Sequence, residues 1–224
     1  MLTAAYIISF LGMLLLPIFL WIYCTRKFAL SWKLVLAGAL TFIAAQVLHI
    51  PPVFGMNSFL QTLPLLANAI ILGLLAGIFE ETARYILFKF ILKNTRSWKE
   101  GILVGLGHGG IEAILLGILA AVGFVTMLGY RSIDLSTVPS IPADQLELAR
   151  QQVAAYWSAP WYMALMGFVE RIFAIYKDQF TLLIPAALVV FVPVAAISGI
   201  IYAGDVSIFG ALIVAAIATI ATYW

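Results

Sequence analysis

The sequence predicts an all-α fold, a polytopic transmembrane helical bundle of about seven spans, on three observations. Of the 224 residues, 64% are hydrophobic and only 10% are charged. The mean hydropathy of +1.11 implies more apolar surface than one water-soluble core can hide. Apolar windows of about 20 residues, the length that crosses the hydrocarbon layer, recur along the chain. Short breaks carrying charge, Gly or Pro separate them, and no polar stretch is long enough for a soluble domain. Residues 1–224 therefore read as a single integral membrane domain, with the lipid bilayer as its principal surroundings and no nucleic-acid partner.

The first span, 3–24 ("TAAYIISFLGMLLLPIFLWIYC"), lacks the basic start and small-residue cleavage site of a secretory signal and reads as retained. The second covers 32–52, with Pro51 and Pro52 near its end. The third, 63–92, and the fourth, 100–128, are longer than a bilayer requires, which predicts tilt, a break or protrusion. Three more cover 157–176, 180–202 and 206–223, with Asp205 as a turn residue and N-cap for the last. Between the fourth and fifth lies a long connection, 129–161. Its proline-rich start reads as loop, and "ADQLELARQQVAAYW" reads as a short amphipathic helix from Ala143–Asp144, with Leu146, Val153 and Tyr156 apolar. Trp157 and Trp161 would anchor it at headgroup level.

Orientation follows from the basic residues. Arg26, Lys27 and Lys33 flank the first turn, Lys89, Lys93, Arg96 and Lys99 the second, and Arg171 and Lys177 the third. The positive-inside rule puts all three in the cytoplasm, making the N-terminus extracytoplasmic, the 129–161 loop extracytoplasmic and the C-terminus cytoplasmic. The expected home is a bacterial cytoplasmic membrane. Cys24, the single cysteine, excludes an internal disulfide framework and a thiolate metal cluster and reads as a packing residue.

Ionisable groups inside these spans each cost about 2.5–3.5 kcal/mol at a helix centre and need a reason to be there. In "GLLAGIFEETARYILFKFIL", Glu80 and Arg84 stand at i and i+4 and Glu81 and Arg84 at i and i+3, so the arginine reaches either carboxylate and leaves the other available. In "GHGGIEA", His108 and Glu112 share a helix face at i and i+4, a spacing by which two side chains hold one metal ion or one water. Gly105, Gly107, Gly109 and Gly110 leave room around the histidine for a neighbouring helix. Glu80–Glu81 lie about 15–20 Å from the cytoplasmic end of their span and His108–Glu112 about 10–17 Å from the start of theirs. Adjacent antiparallel helices would bring the two clusters face to face in the cytoplasmic half, and Glu170 and Arg171 fall at a similar level. A lone Glu–Arg pair can simply neutralise itself and hold helices together. Four carboxylates, two arginines and a histidine at one level point instead to a site. His49 has a plainer reading, bonding a carbonyl freed by Pro51 and Pro52.

A buried Glu beside a His is minimal apparatus for activating water, with the carboxylate taking the proton and imidazole or a metal stabilising developing charge. The same groups suit a proton-coupled membrane transporter. The block 76–117, together with "AAQVLHIP" at 44–51 and "FVERIFAI" at 168–175, resembles the YhfC-type intramembrane metalloproteases, distant relatives of the CAAX prenyl endopeptidases and PrsW-type proteases. The resemblance implies a catalytic double-glutamate helix, Glu80 and Glu81 oriented by Arg84, and His108 with Glu112 as ligands of a water or of zinc or another divalent metal. It also implies a membrane protein or peptide as substrate. The chain departs from that pattern late: where relatives bring a further histidine after the Glu-Arg pair, Asp178 stands, and no histidine follows His108. A complete site would then recruit Glu170, Asp178 or His49, and the alternative is a catalytically degenerate peptidase-like membrane scaffold.

Overall fold

The computed structural model describes residues 1–178, and of 176–178 the backbone only. Among the described residues every regular element is helical. The expected spans 180–202 and 206–223, and Asp205, lie outside the described residues.

The helices are α1 (Leu2–Phe28), α2 (Lys33–Gly55), α3 (Asn57–Leu60), α4 (Leu65–Ile86), α5 (Trp98–Arg131), α6 (Leu146–Ser158) and α7 (Trp161–Asp178). Four are long and apolar enough to cross a membrane: α1 with 27 residues, α2 with 23, α4 with its extension to Ile91 with 27, and α5 with 34. Large apolar side chains such as Leu11, Leu15, Phe19 and Ile22 point outward on α1, as lipid-facing residues must. The expected fifth span is α7, shifted to begin at Trp161; Glu170, Arg171, Lys177 and Asp178 keep it outside that set of four.

Local chemistry sets the ends. Helix α1 stops at Ala29, whose φ of 52° is left-handed, with its N–H bonded to the Arg26 carbonyl and that of Leu30 to Thr25. Helix α2 does not end at Pro51 and Pro52 but runs through both to Gly55. Pro64 precedes the first turn of α4, a position that needs no N–H donor. Past Arg84 that helix widens into a π turn over Leu87–Ile91, closed by Leu92 N–H on the Leu87 carbonyl at 2.8 Å. Ser97 and Glu100 form a reciprocal capping box ahead of α5: the serine Oγ accepts from Glu100 N–H at 3.3 Å and the carboxylate accepts from Ser97 N–H at 3.0 Å. The expected amphipathic helix is α6, entered through a single 3₁₀ turn at Ala143–Gln145.

The chain forms two compact units, and the boundary falls within α5 between His108 and Gly109. One comprises 1–30 and 109–177. In it α1 packs against α7 and α5 at small residues: a Cβ on Gly12 would lie 2.6 Å from the Phe168 ring, and one on Gly117 2.9 Å from Met13 Cβ. Tyr6 stacks on Tyr156 with centroids 4.4 Å apart and donates to its carbonyl at 3.1 Å. Trp157, expected as a headgroup anchor, closes this aromatic cluster and donates its Nε1–H to the Met127 carbonyl at 3.1 Å.

The described part of the other unit, 31–108, contains α2, α3, α4 and the first turns of α5. Helix α2 is its centre. It packs along α4, and Gly38 and Gly107 let it meet α5 backbone to backbone: a Cβ on Gly38 would overlap the Val104 carbonyl oxygen, and one on Gly107 the carbonyl of Val35. The third and fourth spans do approach as expected, with the second span holding both.

Candidate functional site

Within the 31–108 unit, four of the residues singled out by sequence come together. His108 is fully buried, and Glu80 and Arg84 are nearly so. His108 is held at the α2–α5 contact, where its ring meets the edge of Phe42 at 5.2 Å and 86°. Its Nε2 lies 3.5 Å from Glu80 Oε2. That separation is too long for a firm hydrogen bond, and neither ring nitrogen has a hydrogen-bond partner among the described residues. Arg84 Nη2 stands 3.2 Å from Glu80 Oε2 and 3.2 Å from Glu81 Oε1. The expectation that the arginine bridges one glutamate and leaves the other available is corrected here, because one guanidinium nitrogen engages both. Glu81 is the more accessible, its side chain 21% exposed against 7% for Glu80.

Gln46, which helical spacing does not single out, joins the cluster. Its Nε2 donates to Glu80 Oε1 at 3.4 Å, and its Oε1 meets His49 Nδ1 at 3.3 Å. A lone amide three positions before a histidine inside an apolar span was a visible signal. His49 does not serve the proline-freed carbonyls; it bonds Gln46 and packs on Phe79 at 5.6 Å. Gln46 and His49 also line a cavity of about 210 Å³ with Ile50, Val53, Phe54 and Asn57. This cavity lies toward the C-terminal end of α2, away from the basic turn at Arg26–Lys33 that the sequence analysis expects on the cytoplasmic side.

Glu112, Glu170 and Arg171 belong to the other unit. Arg171 Nη1 donates to Glu112 Oε1 at 2.5 Å, and Arg171 also binds Glu170 through two nitrogens. Glu112 and Glu170 are therefore charge-paired on one guanidinium. Asp178 is described by its backbone alone, within α7, and its side chain lies outside the described residues.

Four helices of membrane-crossing length and composition define an integral membrane protein. Residues 12–203 match the YhfC intramembrane metalloprotease family, and the chain belongs to it. It is 34% identical over 173 residues to the "Uncharacterized membrane protein YhfC" of Bacillus subtilis (strain 168), a match covering 72% of this chain and 65% of that protein. The chain thus matches slightly less than two thirds of that curated relative's length. No solved structure matches.

The family's description implies a metal. A catalytic zinc takes three protein ligands and a water. The orphaned nitrogens of His108 beside Glu80 are suitable donors, but no group of three or more His, Cys, Asp or Glu residues among the described residues forms a metal cradle. The described donors do not fit a complete centre.

Proposed function

We propose that the chain is an intramembrane peptidase in which Glu80 activates water for attack on a peptide bond of a membrane-embedded substrate. The observation that carries this reading is the 3.5 Å approach of His108 Nε2 to Glu80 Oε2 in a buried setting. A water bonded to both atoms gives a proton to the Glu80 carboxylate as its oxygen attacks the carbonyl carbon. The C–N bond then breaks, and the proton passes to the leaving amine. His108 orients the water, and Arg84, 3.2 Å from Glu80 Oε2, fixes the carboxylate beside it. Glu81, more exposed and touching Arg84, shares that guanidinium and tempers its hold on Glu80. No step is assigned to a metal.

General-base loss costs roughly 10²–10⁴-fold in rate. In proteoliposomes carrying a transmembrane peptide substrate, Glu80→Gln and His108→Ala should lose cleavage by that factor while still showing a cooperative unfolding transition. Wild-type turnover in either variant removes the mechanism.

The short donor set favours a second reading, a peptidase-like scaffold that binds membrane segments without cutting them. Peptide capture and cleavage by the purified full chain in proteoliposomes separate the two. Cleavage that is lost in Glu80→Gln supports the enzyme. A wild-type chain that retains a bound peptide uncut supports the scaffold.

A further inference from the structure

Gln46 touches both the buried carboxylate and the cavity. Its amide has two ends with opposite hydrogen-bonding character. Toward Glu80 it presents the NH₂ end, which donates to Oε1 at 3.4 Å. The Gln46 oxygen then faces His49 Nδ1 at 3.3 Å, a contact that is a hydrogen bond in the tautomer with the proton on Nδ1. The other nitrogen of a neutral ring, Nε2, is then a bare acceptor. It is buried without a hydrogen-bond partner among the described residues, on a side chain that lines the cavity. Phe79, the residue before Glu80, holds the ring plane from α4.

We propose that Gln46 is a positioning residue that sets both Glu80 and the His49 tautomer, making the cavity beside it the peptide-binding side of the Glu80 site. This rests on the peptidase reading. The cavity suits one residue of a peptide: Ile50, Val53 and Phe54 offer an apolar wall, and His49 Nε2 accepts a backbone N–H. A peptide N–H that bonds His49 Nε2 is connected to Glu80 through a single amide, so occupancy of the cavity and orientation of the base are coupled.

The chain has two histidines, so nitrogen-15 NMR of histidine-labelled protein in lipid nanodiscs resolves each ring, with His108→Ala supplying the assignment. Wild-type His49 should show a protonated Nδ1. Gln46→Leu removes both bonds and should shift His49 toward the Nε2-protonated form preferred by a histidine side chain in water. It should also lower kcat/KM about tenfold to a hundredfold, the range for losing a hydrogen bond to a charged group. Gln46→Glu separates the arms and covers a failure of the leucine variant to fold. Its carboxylate still accepts from His49 but cannot donate to Glu80, so the tautomer should survive while kcat falls. An unchanged His49 tautomer in Gln46→Leu, or full activity in Gln46→Glu, overturns the proposal. If the wild-type chain cuts no peptide, the peptidase reading falls alone, and the tautomer shift still decides whether Gln46 positions His49.

Discussion

Glu80 and Glu81 share a single nitrogen of Arg84, at 3.2 Å each. Two neighbouring carboxylates on one guanidinium carry a net negative charge unless a further group or a proton offsets it. Removing the arginine should therefore hurt more than removing either acid. Arg84→Met, which keeps much of the volume, should cost about 3–5 kcal/mol, the scale for stranding a buried charge. Adding Glu80→Gln to it should recover part of that loss, because the two sites couple directly. Unfolding of all three proteins in mixed micelles measures this, and a loss below about 1 kcal/mol would show that other groups hold the carboxylates.

Gly38 has no room for a methyl group. A Cβ there would overlap the Val104 carbonyl oxygen and lie 2.9 Å from the His108 backbone nitrogen. Alanine gains roughly 1 kcal/mol over glycine in a helix interior. Forcing two backbones apart costs about 1–3 kcal/mol, so the clash should win. Gly38→Ala is expected to lower the melting midpoint and, by displacing His108, to reduce cleavage. A more stable variant would mean that α2 and α5 pack less closely than described.

Ala29 offers the opposite case. Its left-handed backbone, with φ of 52°, is disfavoured by roughly 1–2 kcal/mol for a residue with a side chain. Ala29→Gly should stabilise the protein by about 1 kcal/mol with no change in function, read from the same unfolding transition.

Asp134 lies in the connection between α5 and α6, where the Ser136 N–H and hydroxyl bond its carboxylate at 3.0 Å and 2.7 Å. The backbone bond leads, followed by the hydroxyl, in holding the Asp134 carboxyl below its ordinary value. A group depressed in the folded state adds stability above its unfolded pKa, near 3.9, and that contribution disappears as pH falls through the lower folded value. Proteolysis of this connection by an acid-active protease should accelerate below about pH 4 in the wild-type protein. Asp134→Asn should flatten that dependence.

Much of this architecture was legible because lipid imposes a simple rule: apolar runs of sufficient length become helices, and α1, α2, α4 and α5 begin and end within a few residues of the apolar windows. Local spacing also foretold that Arg84 lies within reach of Glu80 and Glu81, since i, i+3 and i, i+4 relations are fixed once a helix forms. Contacts across helices were less visible. That α2 would be the central helix depended on two glycines meeting two carbonyls, which no periodicity encodes. Gln46 was overlooked because a neutral amide carries no charge penalty to flag it. The pairing of Glu112 with Arg171, 59 positions away in the chain, depends on tertiary packing rather than spacing.

Pro51 and Pro52 sit inside α2 and have no N–H to give to the carbonyls of Val47 and Leu48. Acyl chains cannot replace the missing donors, whereas interfacial water can. This turn of the helix is therefore drawn to the rim of the hydrocarbon layer. Gln46 lies only about 7 Å further along the axis. The prolines act as a depth gauge: they keep Gln46, and through it the Glu80 carboxylate on α4, a short step from moisture.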